Sequence, residues 1–260
     1  MQTGALTQYI DIAQLALYGF WIFFAGLIWY LHREDKREGY PLDSDRTERS
    51  GGRVLVQGFP AVPSPKVFRL ADGSTVTSPP ANGADRRPIA ARPVGNGEGA
   101  ALDPTGNPMV DGVGPAAWAE RADVPERMTD GSPMIVPMSA APGFVVSARD
   151  PDPRGMSVVG CDGNDAGTVR ELWVDRAEPQ IRYLEVELAA GGRRLLPAGF
   201  VRYDVAHRRV KVASITAAQF AAVPQVAGAT QITKREEDRI TGYYAGGHLY
   251  ATPDRLGPWL

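Results

Sequence analysis

An unbroken apolar run, IAQLALYGFWIFFAGLIWYL, occupies residues 12–31, and the charged cluster HREDKRE follows at residues 32–38. A helix of about 20 residues rises roughly 1.5 Å per residue, so it spans the ~30 Å hydrocarbon core of a bilayer. Gln14 is the one strongly polar side chain in the run. Asp11 stands just before it, where a carboxylate caps free N–H groups and meets the positive end of the helix. Tyr9 at one end, and Trp29 and Tyr30 at the other, fit the aromatic belts of a membrane interface. No Lys or Arg precedes the run, whereas Arg33, Lys36 and Arg37 follow it. By the positive-inside rule the short N-terminal tail lies outside and the large C-terminal part lies in the cytoplasm. A cleaved signal peptide fits poorly. The charge is on the wrong side, and Trp29-Tyr30-Leu31-His32 lacks the small residues of a cleavage site. Gly19 and Gly26 lie seven residues apart and share one helix face, with Phe23 nearby. That face suits either close packing against other membrane helices or plain glycine tolerance in lipid.

Composition narrows the function classes. Lys and Arg total 28 against 30 Asp and Glu, a net charge of −2, so no basic excess points to nucleic acid. Cys161 is the single cysteine, which rules out an intrachain disulfide and agrees with a reducing compartment. Its simplest reading is a small buried apolar residue. The three histidines, His32, His207 and His248, are not at metal-ligand spacing, and neither CxxC nor HExxH occurs. A P-loop, a GxSxG elbow and a GxGxxG after a strand are also absent. No independent catalytic constellation emerges, so a non-enzymatic role is expected.

The residues after the helix change texture once. Residues 32–143 form a Pro/Gly-rich, mostly irregular segment, expected to be laid over a partner's surface. It contains one hairpin: Lys66-Val-Phe-Arg-Leu70, the turn Asp72-Gly73, then Ser74-Thr-Val-Thr77. From residue 144 the pattern becomes β, with Phe144-Val-Val-Ser147 the first of several short runs. Tyr183, Glu185 and Glu187 alternate with Leu184, Val186 and Leu188, the period of a half-buried strand. Gly191-Gly192 suits a tight antiparallel turn. Residues 144–250 therefore read as a small closed antiparallel barrel. Short helices are expected over residues 216–222 and 234–239, with Thr216 and Thr233 as N-caps. Residues 251–260 form a C-terminal tail.

The order of blocks along the chain resembles the H subunit of the photosynthetic reaction centre of purple bacteria. The blocks are Phe20-Trp-Ile-Phe23 with Ala25-Gly-Leu-Ile28, Arg37-Glu-Gly-Tyr-Pro-Leu42 and Asn107-Pro-Met-Val-Asp-Gly-Val-Gly-Pro115 with Trp118. Trp173-Val-Asp175, Leu184-Glu-Val-Glu-Leu188, Leu195-Leu-Pro197 and Gly242-Tyr-Tyr-Ala-Gly-Gly247 continue the series. The resemblance implies a single membrane helix and a mainly β cytoplasmic domain similar to the PRC barrel, sited at the bacterial inner membrane. It implies that the chain itself binds no cofactor. Bacteriochlorophyll, bacteriopheophytin, quinones and non-haem iron belong to the L and M subunits. The implied partners are L and M, a light-harvesting antenna ring and membrane lipids, with no nucleic acid. The implied role is to cap the cytoplasmic face of L and M, support assembly, and conduct protons to the secondary quinone.

A buried quinone that takes two electrons needs two protons, delivered along carboxylates and ordered water. Under the resemblance Glu178 aligns with the glutamate nearest the quinone, and Asp175 with another acidic position. Arg176 and Arg182 are placed to tune them. Where the best-studied relatives carry an aspartate and two histidines at the point of proton uptake, ungapped alignment gives Met128, Asp130 and Ser132. Asp130 is the expected substitute, with Glu126 and Asp123 close in sequence, and Gln231 stands where some relatives have a glutamate. The competing reading is a membrane-anchored PRC-barrel adaptor for another protein or an RNA-processing partner. That class needs neither the Pro/Gly-rich segment nor the block from Asn107 to Pro115.

Overall fold

A computed structural model describes residues 11–40, 42–47, 53–56, 58–71, 73–79, 85, 87–96 and 100–256. They form two compact units that divide after residue 86. Tyr9, Asp72 and residues 257–260 fall outside the described residues.

In the first unit, α1 (Ile12–Asp35) opens with a reciprocal capping box, in which the Asp11 carboxylate accepts the Gln14 N–H at 2.8 Å. No residue of α1 is buried within the chain, as expected of a helix whose solvent is lipid. It is long and apolar enough to cross a membrane. The helix continues past Leu31 through His32 to Asp35, because charged residues with good helix propensity extend it beyond its apolar part. The cluster after it does more than mark orientation. Lys36 is buried and donates from Nζ to the Pro60 carbonyl at 2.7 Å. Arg37 bridges Glu34 at 2.8 Å and also bonds the Ser64 carbonyl, while Lys66 pairs with Glu34. These contacts fasten residues 60–66 to the helix end. Two ribbons complete the unit: β1 (Leu42–Thr47) with β2 (Arg53–Val56), and β3 (Lys66–Arg69) with β4 (Thr75–Ser78). The second is the expected hairpin, in register Phe68↔Val76, with Gly73 at φ +83° in its turn.

The second unit begins with a ribbon of β5 (Ala91–Pro93) and β6 (Leu102–Pro104). The short helix α2 (Pro108–Asp111) follows, its Asn107 cap accepting the Met109 N–H at 3.1 Å. Seven strands make the main sheet: β7 (Ile135–Pro137), β8 (Ser157–Val159), β9 (Asp165–Asp175), β10 (Gln180–Leu188), β11 (Arg193–Pro197), β12 (Val201–Asp204) and β13 (Arg209–Val212). Their order is β11-β10-β9-β8-β13-β12, with β7 also pairing the end of β9.

Three expectations need correction here. The sheet does not close by hydrogen bonding among the described residues, because its outer strands are β11 and β12. Pro197, which has no N–H, and a 3-10 turn over Ala198–Phe200 carry the chain between them. The sheet is not wholly antiparallel, since β8 and β13 run parallel. Phe144-Val-Val-Ser147 is no strand; it is irregular chain outside the ladder.

The core lies between the sheet and α3 (Lys234–Tyr250), which runs well past the expected end at Arg239. Thr233 caps it, accepting the Glu236 N–H at 3.2 Å. The other expected helix is a 3-10 turn, Ala218–Ala222, and Thr216 is not its cap. Trp173, Tyr243, Tyr244, Phe220 and Leu172 are the largest buried side chains. Gly242 and Gly246 let α3 rest on the 3-10 turn Gly114–Ala116: a Cβ at Gly246 would lie 2.5 Å from the Ala116 Cβ, and one at Gly242 would lie 2.8 Å from the Ala116 carbonyl oxygen. The block from Asn107 to Pro115 is therefore an α3-packing element.

Candidate functional site

The turn between β9 and β10 is built around Asp175. Its side chain is only 3% exposed, and Oδ1 accepts the N–H groups of Ala177 at 2.9 Å and Glu178 at 3.1 Å. A carboxylate satisfied by two local amides braces a turn. The brace presents Glu178 to solvent, where its Oε2 accepts the Gln180 side-chain N–H at 3.1 Å. Pro179 stiffens the next step.

Two other expected residues meet at this corner. The Arg176 guanidinium donates to Ser132 Oγ at 2.8 Å and to the Pro133 carbonyl at 3.1 Å. Ser132 in turn donates from its backbone N–H to Asp130 at 2.8 Å and also bonds it through Oγ. The Ser132 bonds, reinforced by the Arg176 charge, hold the Asp130 carboxyl below its usual range. Strand β7 pairs Ile135 with Asp175, which ties residues 130–137 to the end of β9. Asp130, Ser132 and Arg176 are thus linked by hydrogen bonds at the end of β9, where Asp175 is buried and Glu178 is exposed.

Glu126 and Arg182 face a second group, Glu237 of α3. Glu237 is 8% exposed, and its Oε2 accepts the Tyr183 O–H at 2.9 Å. Burial pushes its carboxyl up, and the Glu126 charge adds to that; Tyr183, Arg182 and Arg121 pull the other way. Burial also raises the Tyr183 phenol, so it stays the donor. Glu126 approaches Lys234 at 4.0 Å, Arg121 pairs with Asp238 at 3.2 Å, and Asp123 accepts the Thr233 hydroxyl at 2.7 Å. Sequence reasoning missed Glu237. Helix phase was the available signal, because Glu237, Ile240 and Tyr244 recur at helical spacing on the buried face.

Glu237 carries a pH consequence. Its folded-state pKa lies above the unfolded one, so the native state binds the extra proton, and stability falls as pH climbs from about 4.5 through the raised value. Glu237→Gln keeps an acceptor for Tyr183 and removes the titration. Denaturation midpoints of this variant are expected to lose that decline and to match or exceed wild type at neutral pH. A variant less stable than wild type at pH 7, with the decline retained, contradicts this assignment.

His207 pairs with Asp204 at 2.9 Å, His248 stacks on Phe200 with ring centroids 5.8 Å apart, and His32 lies near the end of α1. Among the described residues no cluster of His, Cys, Asp and Glu is arranged to hold a metal. Cys161 is half-buried, its N–H bonded to the Ile215 carbonyl at 2.8 Å.

Two family profiles match the chain. The one described as the photosynthetic reaction centre, H-chain N-terminal region, covers residues 4–140, more than half of the sequence. The PRC-barrel domain covers residues 146–219, which takes in β8 to β13. Chains of the first family are pigment-free structural subunits that associate with the L and M subunits. A membrane helix, the reaction-centre segment and a PRC barrel follow one another in a single polypeptide: it belongs to the family of photosynthetic reaction centre H chains.

Proposed function

We propose that this chain caps the cytoplasmic face of L and M and passes protons to the secondary quinone along the edge that ends at Glu178. The observation that carries this reading is the braced turn, in which buried Asp175 holds an exposed carboxylate outward on a rigid sheet. A relay group must be fixed in place yet reachable by water, and Glu178 meets both conditions. In this role Asp175 is a positioning residue. Asp130 stands exposed on that edge as the uptake point for protons from bulk water, and Arg176 links it to the turn through Ser132. Glu126 with Glu237 forms a neighbouring acidic pair, and Arg182 tunes Glu237.

Orientation follows from charge: residues 1–11 lie outside, residues 12–31 span the membrane, and the rest is cytoplasmic. A Cβ at Gly19 or Gly26 would meet nothing within 4 Å, so that face of α1 is open to a helix of L or M. Residues 32–143, the barrel over residues 144–250 and the tail at 251–260 then lie against L, M, lipid headgroups and the surrounding antenna ring. Bacteriochlorophyll, bacteriopheophytin, quinones and non-haem iron are carried by L and M.

Flash-induced proton uptake tests the route. Met128, Asp130 and Ser132 offer no imidazole where the best-studied relatives have two. Zn²⁺ or Cd²⁺ should therefore inhibit uptake only weakly in the complex built with this chain. Inhibition as tight as in histidine-bearing relatives counts against Asp130 as the uptake point.

A further inference from the structure

We infer that Phe59 is a second membrane contact, inserted at the boundary between headgroups and acyl chains of the cytoplasmic leaflet beside α1. Its side chain is 83% exposed, the most open large apolar residue among the described residues. Its backbone, by contrast, is held on both sides. Lys36 donates from Nζ to the Pro60 carbonyl at 2.7 Å, and a Cβ on Gly58 would lie 3.3 Å from that same Nζ. The two neighbours of Phe59 therefore rest on one buried lysine at the end of α1. Further along, Arg37 bonds the Ser64 carbonyl and Lys66 pairs with Glu34. The segment is fixed to the helix end while its aromatic ring stays uncovered.

The level of this fastening identifies lipid as the occupant. The apolar run ends at Leu31, which marks the hydrocarbon boundary. Lys36 follows five residues later, about 7.5 Å along the axis at ~1.5 Å per residue. Helical side chains lean toward the N-terminus, so the lysine draws Gly58 and Pro60 back toward that boundary. The headgroup region adds only ~5–8 Å on each side of the hydrocarbon core, so Phe59 starts within it. An aromatic ring at this depth gains by leaving water for the acyl boundary. The side of the helix agrees. At about 100° per residue, Lys36 lies within roughly 20° of Trp29 and roughly 80–100° from Gly26 and Gly19. Trp29 is a belt residue with exposed Arg33 over its ring at 5.5 Å, a pair suited to lipid phosphate. Phe59 is thus held on the Trp29 side, a quarter turn from the glycine face. The choice of side rests on the proposed packing of that glycine face against L or M, whereas the depth follows from the membrane helix alone.

A nitroxide attached at Phe59→Cys, in a Cys161→Ser background, tests this in the full pigmented complex held in lipid nanodiscs. Collisions with oxygen, which partitions into lipid, are expected to outnumber those with a water-soluble nickel chelate. The label should also read shallower than one at Ile22→Cys. With Phe59 in place, a lipid carrying a photoreactive group at the top of its acyl chain should attach within residues 58–60. Lys36→Met removes the bond to Pro60 and should reverse the preference, so that nickel collisions dominate. A label reached mainly by nickel in the unaltered Lys36 background places residue 59 in water, and a label screened from both reagents places it under protein. Either result overturns the inference and leaves the capping role standing. An oxygen preference that survives Lys36→Met overturns the holding role of Lys36. A chain that brings down no pigment overturns the capping role, while an oxygen preference in the same nanodiscs still upholds the lipid contact.

Discussion

Glu178→Gln is expected to slow the proton-coupled transfer of the second electron to the quinone by roughly tenfold or more, while primary charge separation keeps its wild-type rate. Glutamine preserves the size of the side chain and the acceptor that Gln180 uses, so the turn survives and only the titrating group is lost. Primary charge separation runs on pigments of other subunits and involves no proton, which makes it an internal control. The partner substitution separates carrying a proton from holding the carrier. Asp175→Asn still offers an oxygen to the Ala177 and Glu178 amides and should leave the second-electron rate near wild type. Asp175→Ala removes the acceptor of both amides, leaves them to water, and should loosen the turn and impair the rate. An unchanged rate in Glu178→Gln, read from flash-induced absorbance changes, removes Glu178 from the relay.

Gly246→Val is expected to cost about 3 kcal/mol of stability, against the direction that helix propensity alone predicts. Replacing glycine in an exposed helix interior usually stabilises, by about 0.5–1 kcal/mol for alanine. At Gly246 the new Cβ would lie 2.5 Å from the Ala116 Cβ and 3.1 Å from its Cα, and those atoms belong to a 3-10 turn followed directly by Ala117, not to a yielding side-chain tip. The helix must then lift from the turn, opening the contact around buried Ala116 and Tyr244. Chemical denaturation of the purified chain in detergent, followed by tryptophan fluorescence, gives the sign. A midpoint at or above wild type would mean that α3 does not rest on residues 114–116.

The same glycines explain what was legible in the sequence and what was not. The membrane helix was plain because its solvent imposes one requirement, continuous apolarity, on every residue of the span. Strands β9, β10 and β11 were visible as β-rich runs joined by turn residues. The alternation in β10 reads as one buried face, yet Tyr183 and Glu185 are buried too. Partners outside the strand cover them: Glu237 of α3 over Tyr183, and Trp173 of β9 with Arg193 of β11 around Glu185. α3 looked short because Gly242, Gly246 and Gly247 resemble helix breakers, whereas close packing against Ala116 and Ile215 requires them. Phe144-Val-Val-Ser147 looked like a strand because propensity reports the residue and not the presence of a neighbour to pair with. The turn at Glu178 was located from sequence by resemblance, and the brace by Asp175 is a local side-chain turn, but the link from Arg176 to Ser132 and Asp130 joins residues 44 apart and is a tertiary fact. Glu237 escaped because its significance comes from burial, and the adjacent Glu236 serves the helix cap.

The near-infrared absorption spectrum of the detergent-solubilised complex, purified through a tag on this chain, bears most directly on the proposed role of a colourless cap on L and M. Bacteriochlorophyll and bacteriopheophytin bands should accompany the tagged chain and vanish from it once L and M are stripped away. A preparation without pigment, or pigment that stays with the separated chain, would contradict that role.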